Sequence, residues 1–343
     1  MGVFKKRISA ENLFFVIGVV ALVVMVYKIG IFPIVDNIKQ TGWWFLPILL
    51  VWAVAYLLNT TSAMLIIRDG SPESSNIKFL NLYKITISTF AYNAATPVGL
   101  AGGEPYKIME LKKYIGTENA TSSVILFSMM HIVAHFSFWM FSILLAIFYI
   151  PMSGKWIAAL SVTFGICLLL VYVFFLGYRK GLVSNVLNIL AKIPFLKGKI
   201  GKIREEKQDS IQLIDKQIAS LHGERKRRFY LSLGIEFFSR VFTCSEIYFM
   251  FLAFGHPVGY VDCILIMAFT SLFANILFFT PLQLGSREGG FLLAFGGLGL
   301  ASSWAISISL ITRIREAIWM LIGLLLAKIT IRDGSRLLEK RED

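Results

Sequence analysis

Two short stretches of this sequence read as one part used twice. Residues 96–104 spell TPVGLAGGE, and residues 280–288, 184 positions further on, spell TPLQLGSRE. Threonine, proline, leucine and glutamate recur in register. Each copy follows an apolar run, interrupts it with Pro97 or Pro281 and with glycine (Gly102, Gly103; Gly285), and then presents a carboxylate, Glu104 or Glu288. A break deep in an apolar segment frees backbone N–H and C=O groups that lipid cannot satisfy, so it is tolerated only where protein or a water-filled cavity surrounds it. Broken segments at corresponding places in two halves of a chain point to a transport site. A pair of surface loops, where Pro and Gly are ordinary punctuation, is the plainer alternative.

The surrounding composition favours a membrane setting. Of 343 residues, 56% are hydrophobic, and the mean hydropathy is +0.70, which is the signature of a multi-span membrane protein. The net charge of +13 would suit nucleic acid only if it were spread over a soluble surface. Here the basic residues gather at the ends of apolar runs and in one central segment, as at a cytoplasmic face next to anionic lipid. Cys167, Cys244 and Cys263 all fall within apolar runs without CxxC spacing, and they say little about redox compartment.

The first apolar run, Leu13 to Tyr27, lacks a clear small-residue cleavage site and continues toward Val35, so it reads as a span and not a removable signal. Lys5, Lys6 and Arg7 place its start inside. A second span covers Trp43 to Ile67, with Trp43 and Trp44 suited to the outer interface. Phe79 to Ala95 leads into the first break, and a short basic segment, Pro105 to Tyr114, follows it. Long apolar helices are expected over Ala120–Ile150 and Trp156–Gly177. Residues 178–229 hold 13 Lys or Arg against 5 Asp or Glu and must be cytoplasmic if charge bias orients this chain. Within that segment, Leu182, Val183, Val186, Leu187, Leu190 and Ile193 suggest an amphipathic helix on the membrane. A second stripe, Ile211, Ile214, Ile218 and Leu221, suggests a connector packed on its own protein. A span over Tyr230–Phe254 carries Glu236, Arg240 and Glu246; Glu236 and Arg240, four apart on one helix face, would suit an internal ion pair. Ile264–Phe279 leads to the second break, and a last helix runs Ser303–Ile331.

Counting crossings gives the breaks a topology. If residues 79–97 crossed fully and the basic segment stayed outside, the next two spans would carry the central basic loop outside, against the charge rule. The economical solution sends Phe79–Tyr114 in from the cytoplasm and back, and lets residues 262–298 dip in from the opposite side. The expected fold is thus an all-α integral membrane helix bundle, one membrane domain over 1–343. It holds two inverted-topology repeats, about 79–150 and 262–331, each with a Pro/Gly-broken re-entrant hairpin. Both termini are cytoplasmic and the protein sits in the cell (inner) membrane. Paired short spans remain the alternative to re-entrant hairpins.

At the same offset of 184, His131 falls opposite Arg315. Arg313, Arg315 and Glu316 lie roughly 15 Å into an apolar helix at 1.5 Å per residue. A charge at that depth costs about 2.5–3.5 kcal/mol and faces a partner or a wet cavity. Glu316 three residues from Arg313 would make a structural ion pair. A guanidinium fork also suits phosphate. The expected substrate-binding set is Glu104, Lys107, Arg287, Glu288, Arg313 and Arg315, with no catalytic residue and no metal or cofactor. His131 and His135 are four apart, but the residues between them exclude the His-Glu-x-x-His pattern, and no Walker loop, nucleophile elbow or Rossmann fingerprint is present.

These residues resemble the lysylphosphatidylglycerol synthase transmembrane region, or flippase-like domain, family. Pro97, Gly103, Glu104 and Lys107 look like its first motif, and Pro281, Gly285, Glu288 and Arg313 look like its second. Lys107 stands where Arg is usual, and His131 stands where an Arg would be expected. In the full-length synthases a cytosolic aminoacyl transferase follows the membrane part. The resemblance implies the lipid-translocating part without that enzyme.

The function expected is movement of a lipid or lipid-linked headgroup between leaflets through a polar cavity. The alternatives are a membrane-embedded transferase on a lipid phosphate, with Glu104 or Glu288 as base, and a non-catalytic accessory to a cell-envelope lipid enzyme. The expected partners are membrane phospholipid or a lipid-linked headgroup, anionic lipid at the cytoplasmic face and an envelope-biosynthesis protein, with no nucleic acid.

Overall fold

The computed structural model describes residues 10–68, 73–96, 100–179, 208–223, 226–276 and 285–342, with single positions between 184 and 201. All regular structure among the described residues is helical. In chain order the helices are α1 (Ala10–Ile29), α2 (Ile31–Thr41), α3 (Phe45–Ile67), α4 (Phe79–Ala95), α5 (Leu100–Ile115), α6 (Thr117–Tyr149), α7 (Gly154–Arg179), α8 (Gln208–Gly223), α9 (Lys226–Thr243), α10 (Ser245–Ala253), α11 (Tyr260–Ile276), α12 (Ser286–Gly297) and α13 (Ser302–Glu342).

Among the described residues, three stretches are long and apolar enough to cross a membrane: Phe32–Ile67, Thr117–Tyr149 and Gly154–Phe175. The last buries only 11% of its most apolar window, and Val162, Ile166, Leu169, Tyr172 and Val173 are exposed. An apolar face of that size on a soluble protein would be a docking or aggregation surface; facing lipid it needs no partner. The chain is a membrane protein. Helix α13 falls short of the same measure because Arg313, Arg315 and Glu316 interrupt it, and α9 carries Glu236 and Arg240 in addition to Lys226, Arg227 and Arg228 at its start; the inner charges matter below.

Several boundaries differ from the sequence expectation. Gly30, at φ 85°, ends the first helix short of Val35 and starts α2, because a positive φ strains any residue with a Cβ. The expected span over 230–254 is two helices meeting at Cys244, where the Thr243 hydroxyl donates to the Arg240 carbonyl at 2.7 Å and competes with the helix ladder. Helix α13 continues past Ile331 to Glu342, since its terminal Leu, Lys, Arg and Glu are good helix formers once the helix has nucleated. Gly102 and Gly103 lie inside α5, which begins at Leu100. Pro97 and Pro281, and most of the expected amphipathic stripe from Leu182 to Ile193, lie outside the described residues.

The helices form two compact units. The first comprises residues 1–56, 80–113 and 244–343. Its centre is Tyr56, Ile87 and Trp319, packed by Leu49, Trp52, Tyr83, Phe90 and Leu326. Helix α4 approaches α13 closely: Ser88 Oγ donates to the Gly323 carbonyl at 2.9 Å, and a Cβ on Gly323 would stand 2.7 Å from Ala91 Cβ and the Ile87 carbonyl. Only glycine lets the two backbones come that near.

Two helical hairpins belong to this unit. In α4–α5, Gly103 rests against the Thr89 backbone and its amide donates to Asn93 Oδ1 at 2.9 Å. In α11–α12, Gly290 lies against Thr270. Moved back by 184 positions, Thr270 and Gly290 fall at 86 and 106, each three residues further from the break than Thr89 and Gly103. The hairpins therefore share one antiparallel register at the offset of the sequence repeat.

The second unit comprises residues 57–79 and 114–243. Helix α6 is its axis, with α7, α8 and α9 packed on it. The Ser62 and Ser232 hydroxyls lie 2.6 Å apart, and Ser239 Oγ donates to Asn59 Oδ1 at 3.0 Å. Such hydroxyl bonds join apolar helices where lipid offers no alternative partner. Helix α8 holds Ile211 and Ile214 toward this packing, with Ile214 buried.

Candidate functional site

Helix α12 begins at a glycine. Gly285, at φ 85°, is its N-cap, and the first turn presents Ser286, Arg287 and Glu288. Glu288 folds back so that Oε2 accepts the Gly285 amide at 2.8 Å. This satisfies a backbone donor that the helix start leaves open, and a carboxylate there is favoured by the helix dipole. Its other oxygen, Oε1, accepts from Ser309 Oγ at 2.9 Å and from Arg313 Nε at 2.7 Å, both on α13.

Ser309, Arg313 and Glu316 lie on one face of α13 at helical spacing. Glu316 takes Arg287 Nη1 at 2.6 Å. The result is a ladder of two ion pairs between α12 and α13, Glu288–Arg313 and Arg287–Glu316. This corrects the local pairing of Glu316 with Arg313: each acid on one helix binds the base on the other. Three side chains of the ladder are at most 17% exposed, whereas Glu288 keeps 33%. The carboxylate at the helix start is the open rung.

Arg315 points from a second face of α13 and does not join the ladder. It donates to Glu246 of α10 through Nε at 2.9 Å and Nη2 at 3.3 Å, and its guanidinium lies 4.0 Å over the Trp52 ring. Trp52 Nε1 completes the group with a 2.7 Å bond to Glu246 Oε2. Buried charges need such saturation.

On α5, Glu104 is half-buried, and among the described residues it accepts no bond from these arginines; its Oε2 is a buried acceptor without a hydrogen-bond partner. Lys107, Glu110 and Lys113 are buried on the same helix, and Lys113 Nζ donates to Glu110 at 2.9 Å. Of the expected set, the structure thus joins Arg287, Glu288 and Arg313, ties Arg315 to another acid, and leaves Glu104 and Lys107 on a separate helix. The partners that sequence reasoning did not assign are Glu246, Trp52 and Ser309. Glu246 carried the one usable signal, an acid within an apolar run that requires a cation from elsewhere in the chain.

The second unit holds its own charged group. His131 Nδ1 lies 2.8 Å from Glu236 Oε2, and Arg240 Nη2 donates to the His131 carbonyl at 2.8 Å. Glu236 is therefore taken by a histidine of α6, beyond the intrahelical Arg240 that spacing offered. Ser62 is adjacent to Glu236. Three pairs stand 184 positions apart, one residue in each group: His131 with Arg315, Trp52 with Glu236, Ser62 with Glu246. In each unit the cationic position contacts the residue at the 52/236 position. The carboxylate stands at 246 in one group and at 236 in the other, so acid and partner have changed places.

Among the described residues, no group of three or more His, Cys, Asp or Glu could hold a metal ion. No curated protein and no solved structure matches the chain. The family described as the lysylphosphatidylglycerol synthase TM region matches residues 13–323, a span that takes in both breaks, the ladder and both charged groups. The chain therefore belongs to the lysylphosphatidylglycerol synthase transmembrane-region family, a membrane family linked to lipid handling.

Proposed function

We propose that this protein moves a lipid, or a lipid-linked headgroup, between membrane leaflets, and that the start of α12 binds the headgroup. The carrying observation is the way Glu288 is held. Its carboxylate occupies a place lined by the Gly285 amide, the Ser309 hydroxyl and the Arg313 guanidinium. Those donors suit a phosphate oxygen as well as they suit a carboxylate, because helix starts and arginine forks bind anions of either kind. An arriving anionic headgroup displaces Glu288, which is the exposed rung, and leaves with Glu288 again in place. The site thus releases its ligand without stranding a buried arginine.

Arg287, Arg315, Glu104 and Lys107 complete the binding set in this reading: Arg287 holds the ladder's second rung, Arg315 a fixed charge, and Glu104 and Lys107 the polar wall on α5. The shared hairpin register and the exchanged counterparts at one offset support two inverted-topology repeats, with hairpins entering from opposite sides of the cell membrane, and residues 178–229 and both termini in the cytoplasm. Lipid tails stay in the bilayer while the headgroup crosses.

Reconstitution into liposomes with a fluorescent phospholipid tests the proposal. Movement of the label between leaflets with its chemical structure intact is the expected result. A chemically altered lipid would replace transport by transfer, and neither movement nor alteration across phospholipid classes would overturn the proposal.

A further inference from the structure

The two charged groups differ in one respect that bears on energy. The residue at 315 is an arginine, a fixed cation, whereas its counterpart at 131 is a histidine, the side-chain type that can gain or lose a proton near neutral pH. We propose that the His131–Glu236 pair is a proton-binding site and that the bound proton drives the lipid movement proposed above, on which this inference rests.

The geometry assigns the titrating atom. An ionised carboxylate only accepts hydrogen bonds, so His131 Nδ1, 2.8 Å from Glu236 Oε2, carries a hydrogen in both states. The other ring nitrogen, Nε2, is the atom that gains and loses the proton. The His131 side chain is 38% exposed and that of Glu236 is 1% exposed, so the histidine is the more accessible member of the pair. Among the described residues, the second oxygen of Glu236, Oε1, is buried with no hydrogen-bond partner, although the Ser62 hydroxyl lies beside the carboxylate. A buried carboxylate left partly unsatisfied gains more from a nearby cation than a solvated one does.

The surrounding charges set the balance. On α9, Arg240 neutralises Glu236, so the group is neutral with a neutral imidazole and carries one positive charge after proton uptake. One turn along α6, His135 packs on Trp139 with ring centroids 4.6 Å apart and lies within the electrostatic reach of Arg240 and His131. From α3 the neighbouring groups are Ser62 and Asn59, which do not titrate here. On α7, Cys167 is a buried free thiol, and on α8 the half-buried Asp215 carboxylate accepts from the Ser184 hydroxyl. A change of one unit charge within an apolar unit alters the cost of exposing that unit to lipid or water. That difference is what a coupling ion must supply.

The test uses the full chain in liposomes or nanodiscs. Nitrogen NMR of labelled histidine should show the His131 ring titrating between pH 5 and 8, with a midpoint that moves by about one unit or more in Glu236→Gln. In liposomes a pH gradient should change the initial rate of lipid movement about tenfold, and His131→Arg should still move lipid with no response to the gradient. Lipid movement indifferent to the gradient in the wild type overturns the coupling and leaves the proposed function standing. A ring that does not titrate, or a midpoint unmoved by Glu236→Gln, overturns the proton site itself. Absence of lipid movement under every gradient overturns the coupling together with the proposed function, and the NMR result from the same sample then decides the proton site alone.

Discussion

Arg315 grips Glu246 through two bonds, Nε to Oε1 at 2.9 Å and Nη2 to Oε2 at 3.3 Å, with side chains 6% and 0% exposed. Both charges are removed from solvent, so removing one strands the other. Glu246→Ala should destabilise the protein by about 3–5 kcal/mol. Replacing both by well-packed apolar residues, Arg315→Met with Glu246→Leu, should recover most of that loss. Thermal unfolding in detergent reads the difference, and a loss in the double variant as large as the two single losses added together would show that the pair is not coupled.

The α12–α13 ladder separates holding from function. Exchanging the inner rung, Arg287→Glu with Glu316→Arg, keeps one positive and one negative charge in contact and should return unfolding behaviour near that of the wild type. Either single change places like charges together and should lower stability by several kcal/mol. In the proposed function the exchanged protein moves lipid more slowly, because a positive charge beside the helix start has changed side. Wild-type rates in the exchanged protein would reduce Arg287 to a strut.

Gly323 is a packing prediction independent of charge. A Cβ there meets Ala91 and the Ile87 carbonyl at 2.7 Å, so Gly323→Val should cost about 1–3 kcal/mol through overpacking. Gly296, which has open space around it, is the control: Gly296→Ala should leave stability unchanged or raise it by up to about 1 kcal/mol.

Much of this was legible from residues and much was not, for a physical reason. The repeated break marked α4–α5 and α11–α12 because Thr, Pro, Leu and Glu recur at one offset, and charge at depth flagged Arg313 and Arg315. Local spacing failed at the pairings. Glu316 and Arg313 share a helix, yet both bind across to α12; Glu236 has Arg240 one turn away and bonds to His131, 105 positions distant. Spacing along a helix says which residues share a face, and only tertiary packing says what meets that face. The glycines show the same limit. Gly102 and Gly103 read as chain-breakers, but they lie inside α5 and let it approach α4 closely.

Topology has a direct chemical check. All three cysteines are buried, and a background lacking them should accept single reporters. Lys216→Cys, exposed on α8, should react with an impermeant maleimide only after the membrane is opened, and Trp43→Cys, exposed ahead of α3, should react in intact cells. Strong labelling at 216 from outside would invert the proposed orientation and remove the charge-bias basis for the hairpins.

The central claim is that Arg313 binds headgroup in exchange for Glu288, and Arg313→Lys addresses it most directly. Lysine keeps the charge and loses the planar fork. The measurement is the rate at which a fluorescent phospholipid changes leaflet in liposomes holding equal amounts of wild-type or variant protein, each with its unfolding temperature recorded. The expected result is a variant that folds normally and moves lipid at least about tenfold more slowly, a barrier change of ~1.4 kcal/mol. A normally folded Arg313→Lys protein moving lipid at the wild-type rate would contradict the account.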